Sequence, residues 1–184
     1  MKVNRNGQAE ALTKEMFQRV LNAIPNSTHR LIFAIAWYTT ERPSAILRLR
    51  VSDVYADPMK RIPNEVIVIA AETRKDKRTR EVPCAIALRQ ELKAYNPPTS
   101  GFLFPGKRGT LSWSAYDKAL RRTFEKLGLR GYSTYSTRRG SLTTLSRAGM
   151  SPRKIQQLSG HKTLSSLQRY LDVSEAEVQQ MVSM

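Results

Sequence analysis

The longest apolar run in the chain is LIFAIAWY at 31–38, and a proline follows it at position 43. A helix needs about 18 or more apolar residues to cross a bilayer, so this run is too short to span a membrane. We predict instead that THRLIFAIAWYTT forms a mostly buried helix. The residue before a proline avoids the α region, so the helix ends at or near Arg42. Pro43 can then open a third helix, PSAILRLR, as its first residue.

The other apolar patterns predict further helices and one small sheet. LTKEMFQRVLNAI at 12–24 has the stripe of an amphipathic helix that begins after Thr13. EVIVIAAE at 65–72 and REVPCAI at 80–86 predict a hairpin with a charged tip, to which GFLFP at 101–105 can add a third strand. Later helical patterns are SWSAYDKALRRTFEKLGL, TRRGSLTTLSRAG, SPRKIQQLSG and SEAEVQQMVSM. The predicted fold class is mainly α with a small antiparallel β-sheet (α+β), and 184 residues can bury one core.

The charge of the chain points to a polyanionic partner. Lys and Arg number 31 against 15 Asp and Glu, which gives a net charge of +16. The segment RKDKRTR at 74–80 holds five basic groups and one acid. Because the excess lies inside patterned segments, a folded surface that follows nucleic-acid phosphates is the simplest explanation. An anionic membrane surface is the weaker alternative, since we find no basic amphipathic helix with an exposed aromatic face.

Two arginines occupy positions that favour a bound anion. Arg138 has Leu142 and Leu145 at i+4 and i+7, so it falls on the apolar stripe of its helix, where an unpaired guanidinium is costly. No acid lies within ten residues on either side, which leaves a distant carboxylate or a bound phosphate as its partner. Arg42 stands at a predicted helix start, where backbone amides favour an anion. The alternative is that its neighbour Glu41 is simply a surface partner.

The segment LSGHKTLSSLQRY raises the question of whether His161 and Tyr170 can share a site. On one straight helix, nine residues would separate them by about 13 Å and place them on opposite faces. Gly160 is a good C-cap, so we predict that the preceding helix stops, that His161 occupies the turn, and that a new helix begins near Thr163. Such a reversal can bring the two side chains together. Leucines recur at helical spacing around Tyr170, so a core tyrosine is the alternative.

Four segments resemble, in this order, the catalytic domain of the tyrosine recombinases, the phage integrase family. TTERPSAILRLRVSDV resembles the family's first arginine box, and RKDKRTREVP its β-hairpin lysine motif. YSTRRGSLTTLSRAG is similar to the box usually written HxxRH, and LSGHKTLSSLQRY to the LGH motif that precedes the nucleophile. Each segment alone is a weak sign, whereas their order and spacing together are a strong one. The resemblance covers roughly residues 10–175.

The resemblance implies a site that cleaves and rejoins DNA. Tyr170 is the implied nucleophile, and Arg42 and Arg138 are the implied ligands of the nonbridging phosphate oxygens. Lys75 would protonate the leaving 5′ oxygen, and His161 would hydrogen-bond the phosphate. The 3′-phosphotyrosyl link stores the bond energy, so religation needs no ATP, metal or other cofactor. The candidate DNA-binding residues are Arg74, Lys77, Arg78, Arg80 and Arg139.

Two residues depart from the family pattern. Tyr135 stands where the family usually has a histidine, three residues before Arg138. It stays a candidate catalytic residue, because a phenol can hydrogen-bond a phosphate oxygen, although it is not a cation near neutral pH. Ala45 stands where an acid usually follows the first arginine by three residues. That removes an orienting partner of the arginine, for which Glu41 can substitute.

We expect residues 1–10 to be a lead-in and 11–184 to form a single catalytic domain. The family's DNA-clamping, core-binding domain is expected to be absent from this sequence, since only about ten residues precede the first predicted helix. The sequence is then either a fragment of a longer protein or an unusually small family member. The family exchanges its C-terminal helix between protomers, a role open to SEAEVQQMVSM, and packing on its own domain is the equal alternative. The expected partner is double-stranded DNA, bound by a homo-oligomer, a tetramer, with a monomer as the state without DNA. The lone Cys84 and the lack of a signal peptide fit a cytoplasmic, nucleoid-associated protein.

The predicted function is therefore that of a site-specific recombinase or integrase catalytic domain. A type IB topoisomerase uses a similar set of residues, but the LSGH spacing and the small size favour the recombinase. A catalytically inactive DNA-binding protein is a second alternative, motivated by Tyr135 and Ala45. A basic scaffold for acidic proteins is a third, and it predicts no steep salt dependence of DNA binding. Only two histidines and one cysteine are present, so no metal-ligand cluster is expected.

Overall fold

The computed structural model describes residues 9–73, 77–107, 109–168 and 170. The predicted C-terminal helix SEAEVQQMVSM lies outside these residues. The helices of the described part are Lys14–Ala23 (α1), Ser27–Thr39 (α2), Pro43–Ile46 (α3), Ile86–Ala94 (α4), Trp113–Lys126 (α5), Ser136–Arg147 (α6), Pro152–Ser159 (α7) and Leu164–Gln168 (α8). None of these helices is long and apolar enough to cross a bilayer.

Short strands complete the described part of the chain. They are Tyr55–Asp57 (β1), Ile62–Pro63 (β2), Val66–Ile69 (β3), Arg80–Pro83 (β4), Pro105–Gly106 (β5) and Gly109–Thr110 (β6). Each pairs with its neighbour in sequence, so β1–β2, β3–β4 and β5–β6 are three separate antiparallel pairs. The predicted fold class, mainly α with small antiparallel β-structure, is confirmed.

Helix α2 is the centre of the core. Its residues 31–36 are all buried, and α1, α3, α4, α5 and α6 pack against it. Asn26 caps its start by accepting the backbone N–H of His29 at 3.0 Å. Helix α1 begins after Thr13, as predicted, and buries Phe17, whose ring stacks on that of Trp37 at 4.4 Å. The first two predicted helices are therefore confirmed.

The predicted hairpin is formed by β3 and β4. Val66 pairs with Pro83 and Ile69 with Arg80 in an antiparallel register. Every second residue faces the core, since Ile67, Ile69 and Val82 are buried. One face of the hairpin is thereby fixed against the helices, which sets the position of Arg80 at the start of β4.

The segment GFLFP at 101–105 does not add a third strand to this hairpin. Val51 donates its N–H to the carbonyl of Gly101 at 3.0 Å, and Leu103 donates to the carbonyl of Leu49 at 2.8 Å. Leu103 is fully buried, so this apolar segment is held against the chain that follows α3. A separate small hairpin, β5–β6, begins at the last residue of this segment, Pro105.

Two more elements correct the sequence predictions. The third helix ends at Ile46 and not at 50. Arg48 and Leu49 donate their N–H groups to carbonyls three residues earlier, as in turns, and not four residues earlier as in an α-helix. Strand β4 ends at Pro83, earlier than predicted, and a helix that we did not predict, α4, follows it. Leu88 and Leu92 of α4 are buried one turn apart, which is a helical spacing.

Gly140 allows helix α6 to approach the chain ahead of α1. A Cβ at this position would overlap the carbonyl oxygen of Leu12 and would lie 2.8 Å from both the Leu12 nitrogen and Trp37 Cζ3. Leu12 in turn donates its N–H to the carbonyl of Ser136, in the first turn of α6, at 3.4 Å. The atoms in the way are backbone and a core aromatic ring, so neither can turn aside. The close packing of α6 against Leu12 and Trp37 therefore depends on a residue without a side chain.

We expect Gly140→Ala to lower the free energy of unfolding by about 1–3 kcal/mol, because the added methyl overpacks this contact. In an ordinary helix the same change is stabilising by about 1 kcal/mol, so the sign of the effect is informative. Thermal unfolding followed by circular dichroism measures it. Ser146→Ala, at a partly exposed position of the same helix, is the matched control and should change stability by less than about 0.5 kcal/mol. A Gly140→Ala protein as stable as the wild type would contradict the tight contact.

Candidate active site

Arg138 is buried between two segments that are distant in sequence. The residue lies in the first turn of α6 and is 2% exposed. Its Nη1 donates to the carbonyl oxygen of Thr40, and its Nη2 donates to the carbonyl oxygen of Ser159 at 3.0 Å. Its Nε has no hydrogen-bond partner. Backbone carbonyls therefore hold the guanidinium in place.

Glu41 ties the turn after α2 to the β-hairpin. Its carboxylate is 1% exposed, and its Oε1 accepts the N–H of Arg42 at 2.8 Å. The same oxygen lies 4.0 Å from Arg42 Nη1, and Oε2 lies 3.0 Å from Arg80 Nη2. The alternative of a surface ion pair with Arg42 is therefore wrong, since the carboxylate is buried and shared with Arg80.

Arg80, which the sequence predicts to bind DNA, is largely buried and is held by contacts within the protein. The residue is 9% exposed. Besides its ion pair with Glu41, Nη2 donates to the carbonyl of Thr39 at 2.9 Å, and Nη1 donates to the carbonyl of Leu158. Its guanidinium joins the end of α2 to α7, so Arg80 supports the site from within the protein.

The side chains of His161 and Tyr170 lie close together, as predicted from the helix end at Gly160. Gly160 has left-handed backbone (φ 65°) and follows the last residue of α7. His161 lies in the turn before α8, with Nδ1 2.6 Å from Ser159 Oγ and Nε2 3.2 Å from Arg138 Nη2. The rings of His161 and Tyr170 are 5.3 Å apart, at 49° to each other.

Tyr170 is held by its backbone and by its ring. Its N–H donates to the carbonyl of Leu167 at 2.8 Å, and its carbonyl accepts from Thr143 Oγ1 at 3.2 Å. The half-buried ring also packs against a small apolar cluster that contains Leu142 and Leu167. The alternative that Tyr170 packs in the core is thus correct for part of its side chain. The prediction that Tyr170 lies close to His161 is also confirmed.

The other predicted site residues lie around this centre or outside the described part. Tyr135 precedes the first turn of α6 and is 43% exposed. Arg139 is partly buried, with Cζ 6.0 Å from the centre of the Tyr170 ring. Lys77 and Arg78 are exposed on the approach to β4. Arg74 and Lys75, the implied leaving-group acid, lie outside the described residues.

A basic cleft of about 530 Å³ opens beside His161. The side chains that line it come from the chain before β4 and from both sides of the Gly160 turn, and they include Arg78, Arg80, Gln156, His161 and Lys162. In the described part of the chain, no three His, Cys, Asp or Glu side chains are placed to hold a metal ion. The charged and polar side chains of the cleft can bind an anion by charge and by hydrogen bonds.

Burial, together with the charges of the arginines, sets the charge state of the site. Burial, followed by the charge of Arg42, lowers the pKa of Arg138 to about 10, while Glu41 acts in the opposite direction. The guanidinium therefore keeps its proton at neutral pH. Burial also lowers the pKa of His161 to about 3, and the charges of Arg138, Arg42 and Arg80 add to the effect. At pH 7 the site combines charged guanidiniums with a neutral imidazole.

Comparison with known proteins decides the family. Residues 10–177 match the sequence model of the phage integrase family. The chain belongs to the phage integrase family. A relative within this family, the integrase of Mycobacterium phage L5, is 28% identical over 183 residues that cover 91% of this chain and 49% of that protein. The chain therefore spans about half the length of this relative.

Two solved recombinase structures have the same fold as this chain. The crystal structure of XerA recombinase matches with a TM-score of 0.75 and 21% identity, over 96% of this chain and 65% of that one. A post-cleavage complex of the XerH site-specific recombinase with difH DNA matches with a TM-score of 0.75 and 20% identity, over 99% of this chain and 55% of that one. At these identities the likeness establishes the fold of this phage integrase family member.

Sequence reasoning missed part of the support around the arginines. The buried pairing of Glu41 with Arg80 joins residues 39 positions apart, and no local pattern predicts it. Ser159 was also missed, although both its hydroxyl and its carbonyl oxygen contact predicted site residues. Its place directly before Gly160 and His161 was the available signal, because the last residue of a helix presents a free carbonyl.

The neutral imidazole of His161 predicts acid-sensitive stability. The pKa of an unfolded histidine is about 6.5, whereas that of His161 is about 3. As pH falls between these values, the unfolded chain takes up a proton that the folded site does not, so stability is complete above about pH 6.5 and declines toward pH 3. We expect the Tm of the wild type to fall more steeply than that of His161→Gln on acidification. His29 is present in both proteins and cancels, so parallel curves of Tm against pH would contradict the assignment.

Proposed function

We propose that this chain is the catalytic part of a DNA strand-transferase, a site-specific recombinase or integrase. The observation that supports it best is the convergence of the Arg42 and Arg138 guanidiniums, the His161 imidazole and the Tyr170 ring, from four separate segments, beside one basic cleft. Two guanidiniums and a hydrogen-bonding imidazole match the oxygens of a phosphodiester. A phenol beside them matches the nucleophile.

In the proposed reaction, the phenolic oxygen of Tyr170 attacks the phosphorus and the bond to the 5′ oxygen breaks. A phenol in water has a pKa near 10, so about one part in a thousand is ionised at pH 7, which is a deficit of roughly 4 kcal/mol. Arg42 and Arg138 offset this by stabilising the charge that builds up on the nonbridging oxygens. Arg138 is suited to this role, because the Thr40 and Ser159 carbonyls fix the orientation of its guanidinium before substrate binds.

The remaining proton transfers follow from the same site. The phenolic proton passes to water in the open cleft, and the neutral His161 hydrogen-bonds a phosphate oxygen. The resemblance assigns the proton for the leaving 5′ oxygen to Lys75. The product is a 3′-phosphotyrosyl bond and a free 5′ hydroxyl, and attack by a 5′ hydroxyl of another strand reverses the step. No cofactor takes part in this scheme.

Double-stranded DNA is the proposed substrate and partner. The net charge of +16 and the exposed Lys77, Arg78 and Lys162 around the cleft favour a duplex backbone. Structures of XerH with difH and of a lambda integrase dimer with a core site, both similar to this chain in fold, contain DNA. We further propose assembly as a homotetramer on DNA and a location with the cytoplasmic nucleoid.

The second candidate is a DNA-binding protein of the same fold without cleavage activity. Tyr135 favours it, because an exposed phenol stands where the family usually has a histidine, and Ala45 supplies no acid. Such a protein would bind DNA with the same salt dependence and leave the backbone intact.

Trapping the covalent intermediate separates the two candidates. The substrate is a pool of short duplexes with a randomised centre and a nick, placed so that cleavage releases a small fragment and prevents religation. A strand-transferase gives a protein–DNA adduct that survives denaturation, and mass spectrometry locates the nucleotide on a peptide that contains Tyr170. A gel shift without any adduct supports the inactive DNA-binding protein.

A further inference from the structure

The short helix α3 lacks an acid at the position where one would brace Arg42. Arg42 is the N-cap residue of α3, and Ala45 is the third helical residue. A glutamate at that third position commonly reaches back and accepts the N–H of the N-cap residue. Ala45 is buried and has no acceptor. The Arg42 N–H therefore needs its partner from elsewhere.

Glu41 provides that partner. Its Oε1 accepts the Arg42 N–H at 2.8 Å, which is the bond that an acid at position 45 would make. The N–H of Glu41 donates to Thr39 Oγ1 at 3.2 Å, which anchors the residue to the end of α2. Its second oxygen lies 3.0 Å from Arg80 Nη2. One buried carboxylate thus makes the hydrogen bond that an acid at position 45 would make. The same carboxylate also connects Arg42 to Arg80 in strand β4.

We propose that Glu41 is the positioning residue of the active site, a carboxylate moved from the third residue after Arg42 to the residue before it. The role rests on the proposed function. Glu41 does not touch the phosphodiester in this scheme. It acts through Arg42 and Arg80, whose guanidiniums it keeps in one arrangement for the incoming phosphate.

The charges around Glu41 support this role. Arg42, Arg80 and Arg138 lie close enough for the charges of the first two to lower the pKa of Arg138, and Glu41 opposes them. Without the carboxylate, three like charges would face one another before any phosphate arrives. Arg42 is the partly exposed member of the group and is the one free to swing into solvent. Glu41 therefore matters most for the arginine that must reach the substrate.

Variants that move the carboxylate from position 41 to position 45 test the proposal. Glu41→Gln keeps the shape and an acceptor for the Arg42 N–H but removes the charge. We expect single-turnover formation of the covalent adduct to slow on the order of 10²-fold, the size of effect that follows from a misplaced catalytic group. The affinity for DNA should stay equal or rise, because the site becomes more positive. The double variant Glu41→Gln with Ala45→Glu should recover most of the rate, and Glu41→Gln with Ala45→Gln, its matched control, should not.

The outcomes are separable. Equal adduct rates for the wild type and Glu41→Gln, or equal rescue by both double variants, overturn the positioning role while the proposed function stands. A wild-type protein that forms no adduct overturns the proposed function, and the positioning role falls with it. If Glu41→Gln does not fold, Glu41→Asp serves in its place, because it keeps the charge and shortens the reach. A wild-type rate in that variant overturns the proposal, and a slower rate at unchanged DNA affinity supports it.

Discussion

Tyr170→Phe is expected to abolish the covalent adduct while leaving the fold and DNA binding unchanged. The change removes one oxygen and keeps the ring that lies 5.3 Å from the His161 ring and 6.0 Å from Arg139 Cζ. The backbone bonds to Leu167 and Thr143 also remain. Loss of a nucleophile from a covalent mechanism reduces the rate on the order of 10⁶-fold, which places the adduct below detection.

The measurement is adduct formation on the nicked duplex pool, together with gel shifts on an intact duplex at several salt concentrations. Tyr38→Phe is the matched control, because Tyr38 is also partly buried and packs its ring against an aromatic neighbour, Phe17, at 5.7 Å. That variant should form adduct at the wild-type rate. An adduct that persists in Tyr170→Phe would assign the attack to another phenol, and the exposed Tyr135 would be the first to test.

Features that depend on local chemistry were predictable from the sequence. Thr13 caps α1, Gly160 ends α7 in a left-handed conformation, and the β-branched runs of β3 and β4 pair as a hairpin. In each case the physical cause lies within a few residues: a hydroxyl that accepts an N–H, a glycine that tolerates positive φ, or side chains that alternate between two faces. The approach of His161 to Tyr170 follows from one of these causes, the helix end at Gly160.

Features that depend on distant contacts were not predictable from one sequence. Arg80 lies in a basic segment and was assigned to DNA, but Glu41 and the carbonyls of Thr39 and Leu158 bury it. The sequence shows the charge of a residue and not the partner across the fold. Helix α3 is short for the same kind of reason, because the backbone of Leu49 and Val51 bonds to the segment 101–103 in place of continuing the helix.

Arg138→Lys is the second variant with a large expected effect, and it separates charge from shape. The arginine divides its donors between Thr40 and Ser159 and still has an Nε without a partner. A lysine has one nitrogen and cannot hold both carbonyls and also meet a phosphate oxygen. We expect adduct formation to slow by about 10²–10³-fold, the loss that follows from removing a preorganised donor. DNA affinity should change little, because most of the basic surface remains.

Burial makes the lysine a poorer cation as well. The site already lowers the pKa of Arg138 to about 10. A lysine starts from about 10.4 and loses its proton more readily in the same surroundings, so part of the population would be neutral near pH 7. The Arg138→Lys rate, expressed relative to the wild-type rate at the same pH, should therefore rise as pH falls below neutral. Arg147→Lys, in the exposed last turn of the same helix, is the control and should match the wild type. A wild-type rate and pH profile in Arg138→Lys would contradict a catalytic role for Arg138. Its role would then be only structural, connecting the segments of Thr40 and Ser159.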